Sequence, residues 1–225
     1  MWYFCLMHSL AEENYLKALF SLSSDNNGEV SVNDLSKHLC IKMPTVTSMM
    51  KKLAAKELVH YESYKPVRLT ESGRKVAALV IRKHRLTEMF LVEKMGFKWD
   101  EVHDIAEQIE HIKAPSFFDS MEELMDYPQV DPHGSPIPDK DGNIKNYNYK
   151  KLSEFEEGCK VQVLGLNNSS KEFLEFLNSR CISLKTIMEI KSIEAFDSTM
   201  VVNYEGHNSE SLSLKVCERL LVELI

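Results

Sequence analysis

His103, Glu107, Glu110 and His111 recur at spacings of three and four residues. On one helix, at ~100° per residue, they fall at about 0°, 40°, −20° and 80°, a stripe roughly 100° wide. His84 and Glu88 are i,i+4 on the preceding helical segment and stack one turn apart. A single His/Glu pair is ordinary on a solvated helix. Two imidazoles and two carboxylates on one stripe, facing a second pair, are costly unless a cation sits among them. That donor set is a ligand set for a divalent metal. Such clusters also activate water, but the chain has no H-E-x-x-H, no Gly-rich phosphate loop and no nucleophile with a paired base. A metallohydrolase is therefore disfavoured.

The elements that must position these groups are mostly helical. Ser9 and Glu12 form a capping box, and Leu10, Leu16, Leu19 and Phe20 make an apolar stripe. The spacing predicts a first helix to about Ser23, broken by Asp25-Asn26-Asn27-Gly28. Ser31 with Asp34 starts a short second helix ending near Leu39. Pro44 stands at a first helical position, ahead of Val46, Met49, Met50 and Leu53, so a third helix runs to about Lys56. From Leu58 to Leu69 the period changes, and Lys65-Pro66 marks the turn of a short hairpin. Thr70 caps a long helix to Met95, stopped by Gly96. Asp100 is expected to cap a helix through Ile112, and Pro115–Met125 forms another. The stretch 128–148 carries four of the seven prolines and two glycines and reads as linker or irregular loop. Strands are expected around Val161, Thr186–Ile190 and Thr199–Tyr204, with a helix at Lys171–Asn178, as in a small β-barrel.

Three short helices and a hairpin make a winged helix-turn-helix, whose third helix enters the DNA major groove while the hairpin rests on the backbone. Lys42, Pro44, Thr45, Thr47 and Ser48 lie at the start of that helix, and Lys51 and Lys52 one turn on. Lys65 and Arg68 are on the wing, placed for phosphates. The net charge of −7 argues against nucleic acid only as an average. Ser31–Arg85 holds 12 Lys/Arg against 4 Asp/Glu, a balance of +8, leaving −15 elsewhere. A basic head on an acidic body holds phosphates while discouraging non-specific contact.

Lys42-Met43-Pro44-Thr45-Val46-Thr47-Ser48, Leu69-Thr70-Glu71-Ser72-Gly73, Arg82-Lys83-His84-Arg85-Leu86 and Val102-His103-Asp104 with Glu110-His111 resemble the diphtheria toxin repressor / manganese transport regulator (DtxR/MntR) family. The resemblance is close from about Ser9 to Met125 and looser beyond. It implies a metal-dependent repressor of metal-uptake genes, acting as a homodimer on a palindromic double-stranded DNA operator. The implied fold is mainly α with a small β domain. Its parts are a winged helix-turn-helix at 7–73, a helical dimerisation and metal-binding domain at 74–127, a linker at 128–153 and an SH3-like β-barrel at 154–225. The resemblance also divides the ligands. Glu107, Glu110, His111 and Asn14 match a primary site, and His84, Glu88 and His103 an ancillary one, to which Asp131, His133 and Glu172 are further candidates. Iron-type members carry Cys where this chain has Glu107. Dinuclear manganese members carry two carboxylates on the first helix, where this chain has Asn14 and Lys17. An oxygen-rich set with one imidazole suits Mn(II) or Fe(II). Phe117, Phe118, Met121 and Leu124 are candidates for the dimer seam. A metal-independent winged-helix repressor is the main alternative.

The five cysteines are odd in number, scattered and without a C-x-x-C pair, which fits a reduced cytoplasm. Met1–Met7 is too short and lacks the basic start of a signal peptide, and either Met1 or Met7 is read as the first residue. No membrane span is expected.

Overall fold

A computed structural model of the chain describes residues 8–23 and 28–225. The Met1–Met7 leader and the Asp25-Asn26-Asn27 breaker lie outside these. The chain divides into two compact units. One contains the residues up to Thr87 with Ala106–Ser120 and Ile137–Lys145. The other contains Glu88–Ile105, Met121–Pro136 and Asn146–Ile225.

In the first unit, α1 (Leu10–Ser23) begins at the expected capping box: Ser9 N–H donates to Glu12 Oε2 at 2.9 Å and Glu12 N–H to Ser9 Oγ at 3.3 Å. α2 (Val32–His38) is capped by Ser31, whose Oγ accepts from Asp34 N–H at 3.0 Å. α3 (Met43–Ala55) carries Pro44 in its first turn, where a missing N–H costs nothing. β1 (Val59–His60) and β2 (Arg68–Leu69) pair antiparallel as the wing, and Val30 extends the pairing to Val67. Leu16 and Leu19 from α1, Leu35 from α2, and Val46, Met50 and Leu53 from α3 meet in one buried core. Any rigid displacement of α1 is therefore carried to α3, because close-packed cores transmit strain rather than absorb it.

An ion pair reinforces this coupling. Glu12, only 1% exposed, meets Lys56 Nζ at 2.7 Å and Lys52 Nζ at 3.1 Å. Burial pushes its carboxyl up, but Lys56, the Ser9 N–H and Lys52 outweigh burial and hold it at about 2. A depressed carboxylate stabilises the fold above its ordinary 4.5, and the contribution is lost as pH falls toward about 2. Glu12→Gln is expected to cost roughly 2–3 kcal/mol at about pH 7, the deficit shrinking toward zero at about pH 2.5. Urea unfolding at both pH values checks this, and an equal deficit at both would contradict it.

α4 (Glu71–Met95) is the long helix expected, with Thr70 Oγ1 accepting from Gly73 N–H at 3.0 Å. α5 is shorter than expected. It spans His103–Ile109 rather than starting at Asp100, because Lys98–Glu101 closes a turn of its own and Asp100 accepts from Asn178 Nδ2 at 3.1 Å. Glu110 keeps its helical bond to Ala106 O at 2.9 Å, and the chain leaves the helix at His111. α6 (Pro115–Leu124) buries Phe118 and Met121 and leaves Phe117 and Leu124 exposed.

The second unit centres on an antiparallel sheet ordered β3-β8-β4-β5-β6-β7, with β3 Lys150–Lys151, β4 Lys160–Leu166, β5 Ile187–Ile193, β6 Met200–Tyr204, β7 His207–Leu212 and β8 Leu220–Leu224. α7 (Lys171–Asn178) lays Phe173, Leu174 and Leu177 onto its core, and α8 (Leu214–Cys217) adds Val216 and Cys217. The 131–136 segment is fastened to this sheet. Asp131 Oδ1 accepts from the N–H groups of His133 and Ser135, and Leu166 N–H, beside the β4 bulge at Leu164, donates to His133 O at 3.0 Å. Among the described residues no helix is long and apolar enough to cross a membrane.

Candidate metal centre

Glu13 and Lys17 stack one turn apart on α1, beside the edge of the face whose Leu16 and Leu19 point into the head, and Asn14 lies farther round. Glu13 Oε2 lies 2.5 Å from His111 Nδ1, both side chains nearly buried. A proton on Nδ1 donated to Glu13 leaves His111 Nε2 with a free lone pair, the tautomer a metal ligand requires. That Nε2 stands 3.5 Å from Glu110 Oε1. Glu110 is fully buried, and its Oε1 has no hydrogen-bond donor; neither has Asn14 Oδ1. Buried acceptors without donors are costly and rare, and each calls for an explanation.

The other half of the cluster is satisfied. Lys17 Nζ donates to Glu107 Oε1 at 2.6 Å and Glu110 Oε2 at 2.7 Å, and lies 3.1 Å from His84 Nδ1. His84 Nδ1 is itself 2.6 Å from Glu110 Oε2, a separation that needs a proton between them. Lys113 Nζ, past the end of α5, donates to His8 O and ties down the entry to α1.

The expected ancillary ligands are distributed between the units. His84 stands in the first unit with Glu107 and Glu110. Glu88 stands in the second with Asp131 and His133, all buried, their ligand atoms within 4.8 Å of one another. His133 Nδ1 is 3.7 Å from Glu88 Oε2 and 4.0 Å from Asp131 Oδ1, while His133 Nε2 is fixed by Trp99 O at 2.9 Å. Burial draws the His133 imidazole down, but the hydrogen bond and charge of Glu88, with Asp131, outweigh it and raise its pKa. His103, largely exposed, reaches Glu88 Oε1 at 3.4 Å. Glu172 lies on the exposed face of α7 and is not among the groups brought together. Glu13 is the side chain of this cluster that sequence reasoning passed over. Its signal was its place one turn before Lys17, on the same stripe of α1.

On the reading head, Lys42, Pro44, Thr45, Ser48 and Lys51 are exposed and Thr47 is half-buried. Lys42 and Lys51 make no ion pair with a described residue. The other basic residues are engaged: Lys52 with Glu12, Lys65 with Glu62 at 2.8 Å, and Arg68 with Glu29.

Both halves of the helical region match family models. Residues 7–67 match the iron dependent repressor N-terminal DNA binding domain, and residues 70–139 its metal binding and dimerisation domain. The chain is 28% identical to the iron-dependent repressor IdeR of Mycobacterium tuberculosis over 159 residues, 68% of this chain and 69% of that protein. It is 32% identical over 114 residues to an uncharacterized HTH-type transcriptional regulator of Methanocaldococcus jannaschii, 51% of this chain and 91% of that one. Among solved structures, a manganese-dependent transcriptional repressor in complex with manganese superposes with a TM-score of 0.86 at 28% identity, covering 95% of this chain and all of that one. A winged reading head joined to a buried carboxylate–imidazole cluster, matched along its length by repressor domains, places this chain in the diphtheria toxin repressor / manganese transport regulator family of metal-dependent transcriptional repressors.

Proposed function

We propose that this chain is a homodimeric cytoplasmic repressor of metal-uptake genes that grips a palindromic operator when Mn(II), or Fe(II), is held by Glu107, Glu110, His111 and Asn14. The observation that carries this is the pair of buried oxygens, Glu110 Oε1 and Asn14 Oδ1, left without donors beside His111 Nε2, whose lone pair a proton on Nδ1 held by Glu13 would leave free. A divalent ion would supply the positive charge those acceptors lack. Carboxylate and amide oxygens with one imidazole suit Mn(II) or Fe(II), and no cysteine lies among them.

The chain's own residues couple the site to the reading head. Glu13 holds His111, α1 carries Glu13 and Asn14 on the same rigid helix as the Leu16 and Leu19 that pack into the head, and Glu12 ties α1 to Lys52 and Lys56 of the α3 segment. The energetics suffice. Ion at about 100 times its dissociation constant contributes about 2.7 kcal/mol per site if the inactive form does not bind it. Two sites per dimer give about 5.4 kcal/mol, close to the ~5.5 needed to swing an equilibrium from 1:99 to 99:1. In the dimer the two α3 helices, set about one DNA turn apart, would present Thr45, Thr47 and Ser48 to bases.

The test is a gel shift on an uptake promoter with Mn(II), anaerobic Fe(II), Zn(II) or chelator. The parent is expected to bind only with metal, and Glu110→Ala not at all at Mn(II) levels that saturate the parent. Retained binding by Glu110→Ala would remove the site from the mechanism, and undiminished binding in chelator would select the metal-independent reading. Lys51→Ala is expected to weaken binding evenly across sequences and to lower the salt slope by about 1. A loss confined to one operator sequence would instead make Lys51 a base reader.

A further inference from the structure

Glu110 divides its two oxygens between two environments. Oε1 faces His111 Nε2 and accepts no hydrogen bond, whereas Oε2 is taken up by Lys17 and His84. The second environment already holds a cation. The Lys17 ammonium, its side chain only 17% exposed, sits between Glu107 Oε1 and Glu110 Oε2, with His84 Nδ1 at 3.1 Å. Two carboxylates around one positive centre are partners a divalent ion would take. Lysine supplies one charge from a flexible stem and cannot be exchanged.

We propose that Lys17 is a tethered cation filling the second half of this centre, so that the chain binds one metal ion beside α1 where a carboxylate at position 17 would admit two. The inference rests on the metal-binding reading of Glu107, Glu110 and His111. Lys17 bridges the partly exposed Glu107 and the buried Glu110 and so keeps the two carboxylates together before any ion arrives. It also sets the affinity of the neighbouring half, because a fixed positive charge beside Glu110 repels an incoming divalent ion. Lys17 is then the residue that determines how many ions this centre takes and how tightly.

The test counts Mn(II) bound per chain by equilibrium dialysis with elemental analysis, on the parent, Glu110→Ala and Lys17→Glu. Ions held elsewhere in the chain count equally in all three. Glu110→Ala is expected to lose one ion relative to the parent, and Lys17→Glu to gain one, with a spin-coupled Mn(II) pair in its electron paramagnetic resonance spectrum. An unchanged count in Glu110→Ala would overturn the site itself. One ion lost there but none gained in Lys17→Glu would overturn the role of Lys17 alone, as would two ions lost in Glu110→Ala. A second variant, Lys17→Gln, needs no metal to relieve a third carboxylate. By titration calorimetry it is expected to bind its Mn(II) about tenfold more tightly than the parent, since a neighbouring positive charge is gone. Equal or weaker binding would contradict the proposal.

Discussion

A Gly134→Ala chain is expected to unfold at a markedly lower urea concentration than the parent and to draw Asp131 and His133 away from Glu88. Gly134 has φ of +83°, and a Cβ there would stand 2.2 Å from Leu164 O and 2.4 Å from Gly165 Cα. Both obstacles are backbone, so no side chain can swing aside. The left-handed conformation alone costs an alanine about 1–2 kcal/mol, and overpacking adds roughly 1–3 kcal/mol. The total of about 2–5 kcal/mol is a large part of the 5–15 kcal/mol typical of a folded domain. Relief requires lifting the 131–136 segment from β4, which breaks the Leu166–His133 bond and scatters Asp131 and His133. Gly158→Ala is the control: φ there is +85°, with nothing within 4 Å of the added carbon. It is expected to bear the conformational cost alone and to leave the 131–136 segment on β4. If the two variants unfolded at the same midpoint, the close approach to β4 would not be what fixes this segment.

That segment shows where the sequence stopped being informative. Prolines and glycines between residues 128 and 148 announce irregular backbone, but not that Asp131–Pro136 is pinned to a bulge in β4, because the partner is thirty residues away. The same holds for α5. Asp100 has the chemistry of a helix cap, yet its carboxylate is engaged by Asn178, and the helix starts at His103. Helix N-caps, by contrast, are local, and the Ser9–Glu12 capping box and the Ser31 cap sit where the sequence placed them. β7 was silent for another reason: it is an edge strand with Leu212 as its one fully buried side chain, so no alternation of apolar residues marks it. In the reading head the basic residues were visible as types. Which of them is neutralised depends on carboxylates supplied by the fold, Glu12 for Lys52 and Glu29 for Arg68.

Glu13 carries the second large effect. In Mn(II)-titrated DNA binding by fluorescence anisotropy, Glu13→Ala is expected to move the activation midpoint to about 10–100-fold higher Mn(II), the range found when the partner that orients a metal-binding histidine is removed. The physical reason is orientation and tautomer together. With the carboxylate 2.5 Å from Nδ1, the proton stays on that nitrogen, and Nε2 is held toward Glu110. Without it, the nearly buried ring can carry its proton on either nitrogen, and part of the ligand population faces the ion with an N–H. Glu13→Gln separates the two contributions. Its amide oxygen still accepts from Nδ1–H, so the tautomer survives, but the charge that makes the imidazole a stronger donor is gone. Its midpoint is expected between those of the parent and Glu13→Ala. Because α1 bears Glu13 beside Asn14, a shifted midpoint with unchanged DNA affinity at saturating Mn(II) would place Glu13 in ion capture. An unchanged midpoint in both variants would mean that His111 is held by its burial and not by this carboxylate.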